Sequence, residues 1–284
     1  MFQKISVMKK ITFLLAIVTT TTLAFAQSTV DKNQIGNNST TGKYLTTRGI
    51  QLYYEIYGQG EPLLFIHGNG GSILNFSNQI PYFAEKYKVI AVDSRAQGKS
   101  TDDSDSLSYE IMADDLNALL DSLKTGPCFI IGWSDGGINA LLLALRHPDK
   151  VKKMAITGAN LWPDTTAVDP EFSKIFEAEI AGLPPNTLTK NQLKLNRLLF
   201  EEPHITTTQL AKIQCPTLVM GGDHDVIRTD HTMLIANSIP QSYLWILPNS
   251  GHSTPIYYKD IFNMVVQDFL TKPYRKIEGM RRLE

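Results

Sequence analysis

Gly132-Trp133-Ser134-Asp135-Gly136-Gly137 is the stretch of this sequence that decides the fold. The apolar residues just before it, 127–131, are too few for a helix and are typical of a buried strand. The residues after it, 138–147, have the spacing of a helix that ends before Pro148. Ser134 is therefore predicted to lie on a tight turn that joins a strand to a helix.

This position predicts that Ser134 is a nucleophile. A turn with glycine two residues to either side holds the serine in a strained backbone conformation, and other backbone passes close to Gly132 and Gly136. The hydroxyl would project at the amino terminus of the following helix, where backbone N–H groups favour developing negative charge. The motif alone arises often by chance, but its place between a strand and a helix makes it specific.

Composition describes one well-cored globular domain with at most a small insertion. The chain has 284 residues, of which 43% are hydrophobic and 19% charged, and its net charge is −1. This balanced charge argues against nucleic acid as a partner, and no run of like charges is long enough to form an interaction tail.

Residues 1–26 are predicted to be a secretory signal peptide. Three lysines among the first ten residues precede an apolar run at 11–18, and Ala24-Phe25-Ala26 is a small-x-small cleavage site. An uncleaved membrane anchor is the alternative, but the threonines at 19–22 shorten the apolar stretch below spanning length. We expect a secreted or periplasmic protein, cut near Ala26, with no stable membrane anchor after cleavage.

The rest of the chain is predicted to form one main domain behind a short leader. Residues 27–42 are polar and are expected to be flexible. Over residues 43–284 short apolar strands alternate with helices, which predicts a mostly parallel sheet with helices on both faces. This alternation breaks at residues 161–213. We interpret that segment as a small helical cap; two further surface helices of the main domain are the alternative.

A serine hydroxyl needs a base within hydrogen-bond reach, and the base needs a third group to hold it. Of the six histidines, only His252 follows the last predicted strand on a glycine-containing loop, so it is the predicted base. His67 lies in a glycine-rich turn and is interpreted as a structural part of that loop. Asp225, shortly after another strand end, is the predicted orienting acid, and Asp223 is the alternative that would shape the turn.

The tetrahedral intermediate of acyl transfer requires N–H donors for its oxyanion. The backbone of Asp135, directly after the nucleophile, is one predicted donor. The backbone of Asn69, in the loop after the third strand, is the other. Trp133 and Asp135 flank Ser134 and are expected to contact the substrate.

These residues together resemble the α/β-hydrolase superfamily over about residues 43–270, and their order Ser134, Asp225, His252 is the order found in that family. The resemblance implies the α/β-hydrolase fold: an eight-stranded, mostly parallel sheet flanked by helices, with a helical cap. The matching motifs are His67-Gly68-x-Gly70, Asp93-x-Arg95-x-x-Gly98-x-Ser100, Gly132-x-Ser134-x-Gly136, Gly222-x-x-Asp225 and Gly251-His252.

Two shorter segments, Gly132 to Ile138 and Gly158-Ala159-Asn160, resemble the valacyclovir-hydrolase (biphenyl-hydrolase-like) branch, which favours amino-acid esters. The superfamily resemblance also implies a sheet in which the strands of Cys128 and Cys215 flank a third strand. These cysteines would then lie roughly 9.6 Å apart, beyond the reach of a disulfide. Two free, buried thiols are expected despite export.

The expected function is hydrolysis of an ester, lactone or related acyl bond of a small molecule through an acyl-enzyme. The Asp135 carboxylate either stabilises the helix start or receives a cationic substrate group. With no metal-ligand cluster and no phosphate-binding loop in the sequence, no cofactor is implied. A carbon–carbon hydrolase, a lyase or a perhydrolase would use the same three residues, and a non-enzymatic binding or signalling protein is a further alternative.

Overall fold

The computed structural model of the protein describes residues 30–283; the predicted signal peptide lies outside these residues. None of the helices within them is both long enough and apolar enough to cross a membrane. The strands are β1 Gly42–Thr47, β2 Ile50–Tyr57, β3 Glu61–Ile66, β4 Tyr87–Val92, β5 Cys128–Trp133, β6 Val151–Thr157, β7 Thr217–Gly222 and β8 Ser242–Leu247. The helices are α1 Gln79–Ala84, α2 Tyr109–Ser122, α3 Asp135–Arg146, α4 Pro170–Ala181, α5 Lys190–Glu201, α6 Thr207–Leu210, α7 Thr229–Ser238, α8 Thr254–Tyr257 and α9 Lys259–Thr271.

All eight strands form one sheet in the order β1-β2-β4-β3-β5-β6-β7-β8. The first two pairings, β1 with β2 and β2 with β4, are antiparallel, and the other five are parallel. The predicted fold class is confirmed. Because parallel strands end at the same edge of a sheet, the loops after β3, β5, β7 and β8 meet along the carboxyl edge.

Helices cover both faces of the sheet, which explains why its central strands are continuous apolar runs. Alternate residues point to opposite faces. Leu64 and Ile130 belong to one buried cluster, shared with α2 and α3. Leu63 and Phe129 belong to a second cluster, on the opposite face.

The two cysteines are free, as expected from the resemblance. Cys128 opens β5 and is buried, whereas Cys215 precedes β7 and is half-buried. Strand β6 separates β5 from β7. The sheet order therefore explains why these thiols do not pair.

The leader differs from the flexible segment that its composition predicts. From Val30 onward it is attached to the sheet, and Ile35 is buried. The fully buried carboxylate of Glu55 on β2 accepts hydrogen bonds from the backbone N–H groups of Gly36 (2.8 Å) and Asn38 (2.9 Å). It also accepts bonds from two tyrosine hydroxyls of its own strand. A buried carboxylate with four donors holds this segment in place despite its polar composition.

The segment predicted as a cap, residues 161–213, contains α4, α5 and α6 between β6 and β7. The two longer helices begin at well-formed caps, the Asp169 side chain for α4 and a Thr189–Gln192 capping box for α5. They meet through the rings of Phe176 and Phe200, whose centroids are 5.9 Å apart.

The last helix is interrupted, whereas the sequence predicts one helix over residues 256–270. Helix α8 ends at Tyr257 and α9 begins at Lys259. Between them Tyr258 leaves the helical conformation (φ −119°, ψ 35°) and donates a 2.5 Å hydrogen bond from its hydroxyl to the carbonyl of Asn249. This bond ties the break to the loop that carries His252.

Candidate active site

Ser134 lies on a strained turn between β5 and α3. Its backbone has φ 56° and ψ −122°, and its N–H donates to the carbonyl of Thr157 on β6 at 2.8 Å. A Cβ at Gly132 would lie 2.3 Å from the carbonyl oxygen of Gly136, and one at Gly136 would lie 1.9 Å from that of Ile66. Both approaches are to backbone, so only glycine fits. The strain and the close packing agree with the predicted turn.

Asp225 and His252 are brought together from the ends of β7 and β8. Asp225 Oδ1 lies 2.6 Å from His252 Nδ1 and also accepts the N–H of Ile227 at 3.0 Å. Only 1% of the Asp225 side chain is exposed, against 24% for His252. The carboxylate therefore binds one ring nitrogen and leaves Nε2 of His252 for other partners.

Trp133 contributes to the same arrangement. Its indole N–H donates to the backbone carbonyl of His252 at 2.9 Å, and its ring lies 6.1 Å from the imidazole. Ser134 and His252 both line one cavity. Within residues 30–283 no hydrogen bond joins the Ser134 hydroxyl to the imidazole, and such bonds often form only when substrate is bound.

Asp135 is buried directly beside the nucleophile. It is 2% exposed, and Asn69 Nδ2 donates to its Oδ2 at 2.9 Å. The Tyr109 hydroxyl makes a second hydrogen bond to the same side chain. Burial raises the pKa of Asp135 to about 6, against the lowering effect of Tyr109, Asn69 and His252. The side chain thus changes charge close to neutral pH.

The predicted oxyanion donors lie on both sides of Ser134. The N–H of Asp135 is the first in α3, where backbone N–H groups have no acceptor within the helix. Asn69 follows Gly68, at which a Cβ would be 3.0 Å from the Cβ of Ser134. The loop after β3 therefore packs directly on the nucleophile.

The other predicted alternatives have structural partners instead. His67 is buried; its Nδ1 bonds to the Gly68 carbonyl (2.7 Å) and its Nε2 accepts the N–H of Ser94 (3.0 Å). Burial lowers the pKa of this imidazole, which favours the neutral form. Asp223 accepts the N–H of Ser250 at 3.0 Å and bonds to His224, so it supports the turn.

A cavity of about 350 Å³ connects these groups to the helices of residues 161–213. It contains several residues that the sequence did not identify. Tyr109 opens α2, Glu202 follows α5, and aromatic side chains of α4 and α5 form a wall. No group of three or more potential metal ligands occurs within residues 30–283. Among the newly identified lining residues are Tyr109, Phe172, Phe176, Leu199, Phe200 and Glu202.

Comparisons with known proteins agree with this architecture. The model of the alpha/beta hydrolase fold family matches residues 61–193. Human serine hydrolase BPHL is 28% identical over 258 residues, which cover 82% of this chain and 87% of the human protein. The 2-hydroxymuconate semialdehyde hydrolase of Pseudomonas sp. strain CF600 is 25% identical over 271 residues, 83% of this chain and 96% of that protein.

The same fold occurs in a hydrolase from Pseudomonas aeruginosa PA01. Its crystal structure superposes with a TM-score of 0.71 at 22% identity, and the match covers 83% of this chain and all of that one. At this identity the likeness shows the fold alone. The sheet, the family model and the relatives lead to one conclusion: the chain has the α/β-hydrolase fold and resembles hydrolases of the α/β-hydrolase superfamily, BPHL among them, in sequence.

Proposed function

We propose that this protein is a serine hydrolase that cleaves a carboxylic ester, lactone or related acyl bond of a small molecule. The observation that carries the proposal is the 2.6 Å contact between Asp225 and His252 at the cavity that Ser134 lines. In this proposal the contact holds the imidazole in place as the base for Ser134, which lies on a strained turn.

The proposed reaction has two halves. Ser134 Oγ forms a bond to the carbonyl carbon while its proton passes to Nε2 of His252, and Asp225 stabilises the resulting imidazolium. The N–H groups of Asn69 and Asp135 stabilise the oxyanion. The carbon–oxygen bond to the leaving group then breaks, and that oxygen takes the proton from His252. Water attacks the acyl-enzyme in the same way and releases the acid and Ser134.

We further propose that the preferred substrates are amino-acid esters. The Asp135 carboxylate lies beside Ser134, and no Lys or Arg from residues 30–283 lines the cavity. An α-ammonium about 4 Å from this carboxylate would be attracted by roughly 4 kcal/mol before desolvation is subtracted, at an effective dielectric of 20. Support of the helix start, worth about 0.3–1 kcal/mol, is the alternative role.

Two esters that differ only in the α-amino group test this proposal. Norleucine and hexanoate esters with one leaving group are hydrolysed by wild type, Ser134→Ala and Asp135→Asn. Ser134→Ala is expected to lose about 10³-fold or more in kcat/KM on both, because the catalytic residues act as a unit. Asp135→Asn is expected to lose about 10- to 100-fold on the norleucine ester only, the value of one charged hydrogen bond.

Either of two results would contradict these assignments. If Ser134→Ala kept more than about a tenth of wild-type activity, Ser134 would be excluded as the nucleophile. Equal losses on both esters in Asp135→Asn would leave Asp135 as a helix-start residue. A fluorophosphonate probe separates a hydrolase from a binding protein of this fold. A hydrolase is labelled covalently, and Ser134→Ala abolishes the labelling.

Carbon–carbon hydrolysis is the second candidate, favoured by the similarity to 2-hydroxymuconate semialdehyde hydrolase. The charge of the cavity argues against an anionic substrate of that kind, because both Asp135 and Glu202 line it. A carboxylate-bearing dienol assayed beside the norleucine ester distinguishes the two candidates.

Export remains a proposal that rests on the sequence of residues 1–26. Fractionation of the producing cells is expected to place the protein outside the cytoplasm, with an amino terminus near Gln27. Full-length chain confined to the cytoplasm would contradict it.

A further inference from the structure

Glu202 supplies a second carboxylate to the cavity of Ser134. It directly follows α5, and its backbone N–H caps that helix by donating to the carbonyl of Leu198. Its side chain lines the same cavity as Ser134 and Asp135. A substrate that fills this cavity therefore meets two acidic groups, one of them beside the nucleophile.

The Glu202 carboxylate has no partner of its own. Within residues 30–283 it makes no hydrogen bond and no ion pair, although it is half-buried. Its pKa is raised by burial and by the like charges of Glu110 and Glu201, and only His204 acts in the opposite direction. An unpaired, partly desolvated carboxylate costs free energy, and a bound cation would recover part of that cost.

Tyr109 links the two acidic groups in space. Its hydroxyl bonds to Asp135, and its pKa is raised chiefly by burial and further by the charges of Asp135 and Glu202. Both carboxylates thus act on one hydroxyl in the cavity wall. Asp135 and Glu202 also line the same cavity of about 350 Å³.

The wall beside Glu202 is apolar. Phe172, Phe176, Leu199 and Phe200 come from α4 and α5 and line the cavity together. Such a surface accommodates methylene groups, and aromatic faces also attract cations. The cavity therefore offers an acidic group beside Ser134, an apolar wall and a second acidic group.

We infer that Glu202 is a specificity-determining residue that receives a second cationic group, so that the preferred acyl groups are those of dibasic amino acids such as lysine, ornithine and arginine. This inference rests on the proposed function, in which Asp135 receives the α-ammonium. Glu202 would bind the ammonium or guanidinium at the end of the substrate's side chain, which the apolar wall leads toward it.

A nested series of four esters with one leaving group tests the inference. Hexanoate carries no ammonium, norleucine adds the α-ammonium, 6-aminohexanoate adds the terminal ammonium, and lysine carries both. Wild type is expected to hydrolyse the lysine ester about tenfold or more faster than the norleucine ester in kcat/KM, within the range of a charged hydrogen bond. Glu202→Gln is expected to abolish most of that preference. It should leave kcat/KM for the norleucine and hexanoate esters unchanged.

Glu201→Gln is the matched control, because it removes the same charge from an exposed neighbour that pairs with Arg197. It is expected to keep the preference for lysine. The inference is overturned if wild type does not prefer lysine to norleucine, if Glu202→Gln affects both equally, or if Glu201→Gln has the same effect as Glu202→Gln.

The series separates this inference from the proposed function. Equal rates on the norleucine and hexanoate esters would overturn the proposed preference for amino-acid esters, and no hydrolysis of any ester would overturn the proposed hydrolase. Either result would overturn this inference as well. A preference for norleucine over hexanoate that Asp135→Asn removes, without a preference for lysine over norleucine, would overturn only the role of Glu202.

Discussion

At the scale of single residues, the role proposed for Asp135 predicts that substrate choice depends on pH. Its pKa is raised to about 6, chiefly by burial, so its carboxyl group is neutral below that pH and anionic above it. The ratio of kcat/KM for the norleucine ester to that for the hexanoate ester is expected to rise through about pH 6. The ratio cancels any ionisation that affects both substrates equally, and below pH about 7 the α-ammonium stays protonated.

Tyr109→Phe sharpens this prediction. The Tyr109 hydroxyl lowers the pKa of Asp135 by its hydrogen bond, so its removal is expected to move the rise to higher pH. Tyr243→Phe, which removes a hydroxyl bonded to Arg275, is the control and should leave the rise in place. A ratio that does not change between pH 5 and 7 would rule out titration of Asp135 as the cause.

At the scale of elements, α5 is held to the main domain by a buried ion pair. Lys194 pairs with Asp102 and donates to the carbonyl of Ser104 at 3.0 Å. Asp102 in turn binds Arg95 at 3.0 Å. The next residue of the helix, Leu195, accepts a hydrogen bond from Asn69 Nδ2 at 3.2 Å. The position of α5 is thus connected to the amide that also holds Asp135.

Lys194→Met is therefore expected to lower both stability and selectivity. Removing one partner of a buried pair costs roughly 3 kcal/mol of the free energy of unfolding, measured by urea denaturation. The preference for norleucine over hexanoate is expected to fall, because Asn69 loses a fixed acceptor.

The control is Lys190→Met on the same helix, whose partner Asp105 is 98% exposed. An exposed pair contributes about 0–1 kcal/mol, so this variant should resemble wild type. Equal stability losses in the two variants would show that the buried pair does not anchor α5.

At the scale of the whole molecule, the amino-terminal segment is part of the folded domain. Its N–H groups at Gly36 and Asn38 supply half of the four hydrogen bonds that Glu55 accepts in the described chain. A chain that starts at Gln27 is expected to keep full stability. One that starts at Gly42 should lose about 2–4 kcal/mol, because a buried carboxylate loses two donors.

Urea denaturation of the two truncated chains measures this difference. Glu55→Gln in each background is the control, because it removes the charge that the two N–H groups stabilise. In the Glu55→Gln background the truncation should then lower the free energy of unfolding by a smaller amount. Equal stability of both unmodified chains would show that residues 30–41 do not contribute to the fold.

Patterns that are local in the chain were predictable from sequence. The glycines around Ser134 determine the turn, because a Cβ at either position meets backbone. Apolar runs and helical spacing predicted the strands and the main helices, since the periods of buried strands and helices are local properties. The catalytic roles of Ser134, Asp225 and His252 remain predictions from motif and chain order, now joined by the contact of Asp225 with His252.

Contacts between residues far apart in the chain were decided by the tertiary structure. Asn69 meets Asp135 across 66 residues, and Lys194 meets Asp102 across 92. Gly158, whose φ is +64°, lies where a Cβ would be 2.7 Å from the His252 ring. No local pattern records such pairings, because they depend on how the helices pack over the carboxyl edge of the sheet.

The leader illustrates the same limit. From the polar composition of residues 30–41 we expected a flexible segment, but Ile35 packs in a buried cluster of the domain. The carboxylate that binds this segment belongs to Glu55, on a strand that pairs elsewhere, and its burial makes the N–H groups of Gly36 and Asn38 indispensable partners. The sequence by itself determined the strands, the turn at Ser134 and the resemblance to the α/β-hydrolase superfamily. The packing of distant segments alone decided the charges around the cavity and the attachment of the leader.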